Sequence, residues 1–274
     1  MPVYDCFSFS APNVDTNVQF HYNTSEETIN GRNGILRNDI ALVAFDLDGT
    51  LTQHKTPLGA ENRAVLEELG KHYRLLMVGA GDAMRIFRQL GGFPIDILGN
   101  YGLQEGVYDP KLKTLTMVRD DAIPCHRESV DRRITALREK YGFTEYAGEN
   151  VEFHDSGCVT FPLLGTKAKA EDKLAFDPDR SRRRAFYDDV AQSFPEFVTF
   201  VGGSSSFDFA PRPYNKYHAL DDYCRAHGLS HSQVAYAGDD YGPGGNDESV
   251  YQSDFRFYKV DDYRALRTVL AELL

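Results

Sequence analysis

No stretch of this chain is apolar for long enough to cross a bilayer. Its N-terminus has neither the basic start nor the apolar run of a secretory signal, and no lipidation signal is evident. The expectation is a cytoplasmic protein without a membrane partner. Cysteine is scarce. The four present, Cys6, Cys125, Cys158 and Cys224, are scattered without paired spacing, which suggests neither a disulfide framework nor a zinc site. Positive charge is in deficit, with a formal net charge of −11. That balance argues against nucleic acid as a partner, because a phosphate backbone needs a basic face. A small anionic substrate stays open, since a few local cations suffice to hold one. What the chain does have is 274 residues with 42% hydrophobic content, enough for one or two domains and a large core.

The most informative stretch runs from Ala41 through Phe45 into Asp46-Leu47-Asp48-Gly49-Thr50-Leu51-Thr52. Its continuous apolar run reads as a strand buried on both faces, as in a parallel sheet with helices on each side. In such sheets ligands bind outside the carboxyl ends of the strands. Strand alternation puts Asp46 and Asp48 on one side, with Leu47 turned back to the core. Two carboxylates this close repel, so the fold must supply positive charge or protonate one of them. A divalent cation is the usual answer, and oxygen-only ligation favours magnesium. An Asx-rich turn would use the same residues, and an isolated pair of aspartates does not decide between the two. A calcium loop is excluded, because the positions where it needs Gly and Glu hold Leu51 and Pro57.

Residues 1–38 are rich in Pro, Asn, Thr and Ser and read as an N-terminal extension. From 39 to 118 strands and helices alternate. An amphipathic helix over Ala60 to Leu69 stops at Gly70, and a buried strand over Tyr73 to Val78 follows. Next come the turn Gly79-Ala80-Gly81-Asp82, a helix to Leu90 capped by Asp82, and a short strand over Ile95 to Leu98. A Gly-rich turn entering a helix presents amides to an anion, although strand-to-helix turns often carry glycine in any case. Between 119 and 211 the alternation lapses, which suggests an inserted α+β domain. It holds a helix over His126 to Tyr141, a basic helix over Arg180 to Ser193 and several strand candidates. Arg182, Arg183 and Arg184 read more simply as a solvated face than as a binding site. From 212 to 274 the alternation returns, with a helix from Lys216 to His227 and a strand ending in Gly238-Asp239. An acidic, Gly-rich loop through Asn246-Asp247 follows, and a final helix capped by Asp261 runs to Leu274. The expected fold class is α/β, a doubly wound Rossmann-like parallel-sheet core with an inserted α+β cap.

Asp46-Leu47-Asp48-Gly49-Thr50-Leu51-Thr52 resembles the first motif of the haloacid dehalogenase superfamily of aspartate-nucleophile phosphotransferases. The turn Gly79 to Asp82, then Lys216, then Asp239 with Asp247, match its remaining motifs in order. The likeness extends to one branch, the eukaryotic-type phosphomannomutases. It rests on Val78 to Asp82, Val151-Glu152-Phe153, Gly202 to Asp208, Asn215 to Leu220 and Pro243-Gly244-Gly245-Asn246-Asp247, and it covers roughly residue 40 onward. The resemblance implies that Asp46 attacks phosphorus to form an aspartyl-phosphate, with Asp48 as general acid and base. It implies magnesium held by the Asp46 carboxylate, the Asp48 backbone carbonyl and Asp239. Thr50, Gly79, Ala80, Gly81 and Lys216 are then expected to bind the phosphoryl group. Asn246 and Asp247 are expected to stand behind them, Asp247 orienting Lys216 or a metal-bound water. Lys55, His154, Lys173, Ser206 and Asp208 fall at substrate-binding positions.

The departures from the branch set the functional expectation. Gly81 stands where the branch has Ser or Thr. His154, Thr166 (or Lys167 with a one-residue shift) and Lys173 stand where it has arginines that grip a distal phosphate. Lysine keeps the charge but loses the bidentate fork. The expected activity is therefore magnesium-dependent hydrolysis of a phosphorylated sugar or similar small metabolite. A phosphomannomutase-like mutase is the alternative. A non-catalytic binding protein on the same fold is a third reading, against which Asp46, Asp48, Lys216 and Asp239 all count. A dimer is compatible with the sequence.

Overall fold

The computed structural model describes residues 39–274, so the extension expected over 1–38 lies outside the described residues. The chain begins with β1 (Leu42–Phe45), α1 (Ala60–Leu69), β2 (Arg74–Val78), α2 (Ala83–Gln89), β3 (Asp96–Gly99), β4 (Gln104–Asp109) and β5 (Thr114–Asp120). Next come α3 (Arg127–Tyr141), β6 (Glu152–Phe153), β7 (Val159–Pro162), α4 (Ala170–Phe176), α5 (Ser181–Arg184), α6 (Tyr187–Ser193), β8 (Phe197–Phe200) and β9 (Ser206–Pro211). The chain closes with α7 (Lys216–His227), β10 (Val234–Gly238), α8 (Glu248–Tyr251), β11 (Arg256–Lys259) and α9 (Leu266–Val269).

Seven strands form the larger sheet in the order β11-β10-β1-β2-β3-β4-β5, parallel from β11 to β3 and antiparallel beyond. β1 is buried along its whole length. Burying Leu42, Val43 and Phe45 contributes on the order of 5–9 kcal/mol, an upper bound, which holds the strand end firmly in place. Val65, Leu66 and Leu69 of α1 cover one face of the sheet with Leu266 and Leu270. Ala219, Leu220, Tyr223 and Cys224 of α7 cover the other. From β1 the order runs outward in both directions, so its carboxyl end is the switch point where open α/β sheets bind ligands. Asn215 starts α7 by accepting the His218 N–H at 2.8 Å, and Gly228 ends it in the left-handed conformation.

The inserted cap carries a four-stranded antiparallel sheet in the order β6-β7-β9-β8. Strand alternation divides its residues between two faces. Phe161, Phe207 and Phe209 pack with Val130, Ile134 and Leu137 of α3 and with Val190 of α6. The intervening Thr160, Ser206 and Asp208 line a cleft instead. Two expected helices come out differently. The basic helix over Arg180 to Ser193 is two short ones, because Phe186 leaves helical geometry to stack on Tyr141 at 4.3 Å and meet Phe207 edge-on. The final helix is also shortened. Asp262 caps a 3₁₀ turn over Tyr263–Ala265, and Asp261 instead accepts the Tyr241 hydroxyl at 2.5 Å. Among the described residues no helix is long and apolar enough to cross a membrane.

Candidate active site

The carboxyl ends of β1 and β10 bring Asp46 and Asp239 together. The Asp46 N–H donates to Ala237 O at 2.9 Å, after which the chain reverses with the Leu51 N–H on Leu47 O at 2.9 Å. Gly49 makes this turn at φ +105°, and a Cβ there would overlap the Asp239 carboxylate, so both conformation and space require glycine. Thr50 donates its hydroxyl to Asp239 Oδ1 at 3.0 Å.

Lys216 opens α7 and is fully buried. Its Nζ donates to Asp46 Oδ1 at 2.5 Å, to Asn246 Oδ1 at 2.7 Å and to Asp247 Oδ1 at 2.7 Å. Asp247 also accepts the Tyr236 hydroxyl at 2.6 Å and the Asp240 N–H at 3.0 Å. Carboxylate oxygens of Asp46, Asp239 and Asp247 lie within 4.8 Å of one another. Burial opposes the charge of Lys216, but Asp247 and Asp46 outweigh it and hold the ammonium above the ordinary lysine range. Burial raises Asp46 well above the ordinary carboxylate value; Lys216 offsets this only in part, and Asp247 and Asp239 add to the rise. Asp239 is raised to about 6, chiefly by burial and then by Asp247. Both partners of the Asp46–Lys216 pair therefore shift upward, which a lone ion pair would not do. For Asp46 the causes are burial first and then the neighbouring carboxylates, three of which share one ammonium. A cluster short of positive charge and offering only oxygen donors fits a hard divalent cation.

The Asp48 carboxylate points away from this cluster. It accepts the Lys55 N–H at 2.7 Å and Gln89 Nε2 at 2.7 Å, with His54 Nδ1 at 4.0 Å. Both bonds fall on Oδ1, and the side chain takes no part in the three-carboxylate cluster. Beside it opens a cleft of about 1330 Å³ whose lining includes Asp46, Asp48, Lys55, Gly79, Ala80 and Gly81. The cap contributes His154, Ser206 and Asp208 to the same cleft. The Gly79 N–H is bonded to Leu98 O at 2.8 Å, whereas among the described residues those of Ala80 and Gly81 have no acceptor and stay available to an anion. Thr160 donates to Asp208 at 3.0 Å, and burial pushes the Asp208 carboxyl up.

Three expectations are corrected. Thr50 is completely buried and its hydroxyl is spent on Asp239, so it supports that carboxylate and does not face a phosphate. Gly79 has already spent its amide. Lys173 lies away from the cleft because its Nζ donates to Thr166 O at 3.0 Å. The arginines of the basic stretch are also occupied elsewhere. Arg182 lies over the Phe143 and Phe176 rings, buried Arg183 pairs with Asp177 at 2.8 Å, and Arg184 donates to Pro243 O at 3.0 Å. Sequence reasoning missed Gln89, Tyr101, Thr160 and Arg180, all of which line the cleft. Gln89 lies one helical turn beyond Arg85 and accepts from it at 2.9 Å, and Thr160 alternates with the apolar Val159 and Phe161, so both carried a periodic signal. Tyr101 has φ +58°, stacks on Phe200 at 4.5 Å and buries a hydroxyl that has no partner among the described residues. Neither it nor Arg180 has a local signature.

This fold and this ordered set of aspartates and lysine define a haloacid dehalogenase-type phosphotransferase. Comparison with known proteins narrows the class. A family model described as eukaryotic phosphomannomutase matches residues 133–265. The phosphomannomutase of Drosophila melanogaster is 25% identical over 259 residues, covering 87% of this chain and 98% of the relative. That of Solanum lycopersicum is 25% identical over 241 residues, covering 78% and 85%. Among solved structures, IMP-bound, N-terminally truncated Plasmodium falciparum IMP-nucleotidase superposes with a TM-score of 0.64 at 14% identity, covering 87% of this chain and 69% of that one. A Bacteroides thetaiotaomicron phosphatase of the same superfamily gives 0.53 at 16% identity, covering 88% and 98%. These two likenesses show the fold alone. The chain is a phosphomannomutase-like protein of the haloacid dehalogenase superfamily.

Proposed function

We propose that the protein transfers the phosphoryl group of a phosphorylated sugar through a covalent aspartyl-phosphate, with magnesium as its cofactor. The observation that carries this reading is the contact of Lys216 with Asp46 at the end of β1, within the cluster completed by Asp239 and Asp247. Asp46, the Asp48 carbonyl and Asp239 would hold the ion, with Asp247 at hand. Bound there, magnesium would supply positive charge to offset that of the phosphoryl oxygens. An Asp46 oxygen attacks phosphorus as the ester bond breaks, and Asp48 gives its proton to the leaving oxygen. Asp48 then takes a proton from the acceptor hydroxyl, whose oxygen attacks phosphorus and frees Asp46. Lys216 keeps Asp46 aimed, and Asp247 with Asn246 keeps Lys216 in place. Ala80 and Gly81 supply amides to the phosphoryl oxygens, and Ser206 and Asp208 meet the sugar from the cap. The segment over 119–211 acts as the cap, and residues 39–118 and 212–274 as the two parts of the core.

The names of the relatives favour a mutase, in which the second acceptor is a sugar hydroxyl, over the hydrolysis that the sequence reading puts first. Hydrolysis keeps one observation in its favour: the cap residue expected to grip a distal phosphate, Lys173, lies away from the cleft. The deciding experiment supplies mannose 1-phosphate and mannose 6-phosphate separately, with magnesium, with and without a hexose bisphosphate. Both isomers and free phosphate are followed. Interconversion faster than phosphate release establishes the mutase, and the reverse establishes the phosphatase. Neither reaction on any phosphomonoester refutes both.

A further inference from the structure

With Lys173 turned away and Arg182, Arg183 and Arg184 engaged elsewhere, the cap still sends one long cation into the cleft. Among the described residues lining it from the cap, Arg180 is the only arginine or lysine. It is held there by its backbone. It adopts φ +61°, and its N–H donates to Asp177 O at 3.1 Å. Asp177 is in turn fixed by buried Arg183 at 2.8 Å. The Arg180 guanidinium reaches across to the core and pairs with Asp240, which is buried. Asp240 follows Asp239 in the chain, and its N–H donates to Asp247 at 3.0 Å. The guanidinium is thus anchored one residue from the carboxylate cluster.

Arg184 also lies 3.7 Å from the same Asp240 oxygen, so two guanidinium groups face one carboxylate. Arg184 places its Nε on Pro243 O at 3.0 Å. A guanidinium carries five N–H donors. Among the described residues Arg180 pairs with no side chain other than Asp240, and it remains 26% exposed where it lines the cleft. Its remaining donors are left for a ligand in the cleft that Arg180 lines together with Asp46.

We propose that Arg180 is a phosphate-binding residue, reaching from the cap to the phosphoryl group that docks over Asp46. This rests on the phosphotransferase reading. It assigns the cap's cation to the phosphate being transferred and leaves none in the cap for a second, distal one.

The test titrates inorganic phosphate into the full chain, in magnesium, by calorimetry. Arg180→Ala is expected to weaken phosphate binding by at least about tenfold, the loss of a charge-assisted pair of donors. Arg180→Lys keeps the charge and loses the fork, so a loss of about threefold is expected; it carries the test if the alanine variant does not fold. Arg184→Ala removes the other guanidinium on Asp240 and is expected to leave the affinity within about twofold. Unchanged affinity in both Arg180 variants overturns the assignment, as does an equal loss in Arg184→Ala, which would mark a structural latch between cap and core. A parent protein that binds no phosphate refutes the phosphotransferase reading itself and the assignment with it.

Discussion

Replacing Lys216 with methionine tests how the site is held together. Methionine keeps most of the buried stem, so the packing cost is small. What is lost is the ammonium and its contacts to Asp46, Asp247 and Asn246. Removing one partner of a buried ion pair typically costs about 3–5 kcal/mol, because the other charge is left uncompensated. At about 2–4 °C per kcal/mol for a chain of this size, melting should fall by roughly 6–20 °C in metal-free buffer. The deficit should also depend on pH. The Asp46 carboxyl is raised in the folded state by burial, and the loss of Lys216 removes the one charge that offsets this. A group raised on folding contributes stability below its unfolded value and loses it as pH rises through the folded one. The variant should therefore lie nearest the parent at acid pH and fall progressively behind from pH 5 to 8. Added magnesium should recover part of the loss. Differential scanning fluorimetry across pH, with and without magnesium, measures all three effects. A variant melting within about 3 °C of the parent at pH 8 would refute the picture of one ammonium restraining three carboxylates.

Further outcomes follow from the same geometry. Asp46→Asn should abolish turnover while the chain stays folded, since the isosteric amide cannot attack phosphorus; turnover within tenfold of the parent, measured by phosphate release or isomerisation, sinks the covalent mechanism. Magnesium and protons compete for carboxylates. With Asp239 raised to about 6, the magnesium concentration for half-maximal thermal stabilisation should fall by up to about tenfold per pH unit as pH rises from 5 to 6; a flat profile counts against Asp239 as a ligand. Gly49→Ala forces a side chain into φ +105° and against the Asp239 carboxylate, so it should cost at least about 1–3 kcal/mol and raise the magnesium requirement. Parent-like melting and magnesium response in that variant would show that the turn relaxes freely.

How much of this was readable beforehand depended on whether a residue's role is decided locally. β1 could be placed from its run of apolar residues because a strand buried on both faces has no alternative use for them. Asp46 and Asp239 then followed, since the carboxyl ends of central strands have nowhere to go but the switch point. Asn215 and Gly228 marked the ends of α7 through their own backbone preferences. The broken basic helix was hidden because Phe186 gives up helical geometry for rings on α3 and β9, which no local window contains. The shortened final helix was hidden for a related reason: Asp261, the expected cap, is drawn off by Tyr241, twenty residues earlier.

Long side chains mark the limit of such reading. Lys173 and Arg180 lie seven residues apart in one basic stretch, and nothing in composition or spacing ranks one above the other. Their directions are set by distant acceptors. Lys173 turns to the Thr166 carbonyl within its own layer, while Arg180, fixed in a left-handed conformation, crosses to Asp240 in the core. Alignment to a family pattern selects the first, because it asks which position carries a cation. Chemistry selects the second, because it asks which cation still has donors to spend. The distinction bears directly on the reaction. A mutase must hold a bisphosphorylated intermediate by its distal phosphate while that intermediate is turned over, and a cap whose single cleft-facing arginine among the described residues sits beside the carboxylate cluster offers that phosphate no fork. If interconversion nevertheless outruns phosphate release, the distal phosphate must be held from the core side, where Lys55, Arg85 and Arg88 line the same cleft. The combined replacement of Arg85 and Arg88 by glutamine should then stop interconversion and leave phosphate release intact, and the opposite result would return the distal grip to the cap.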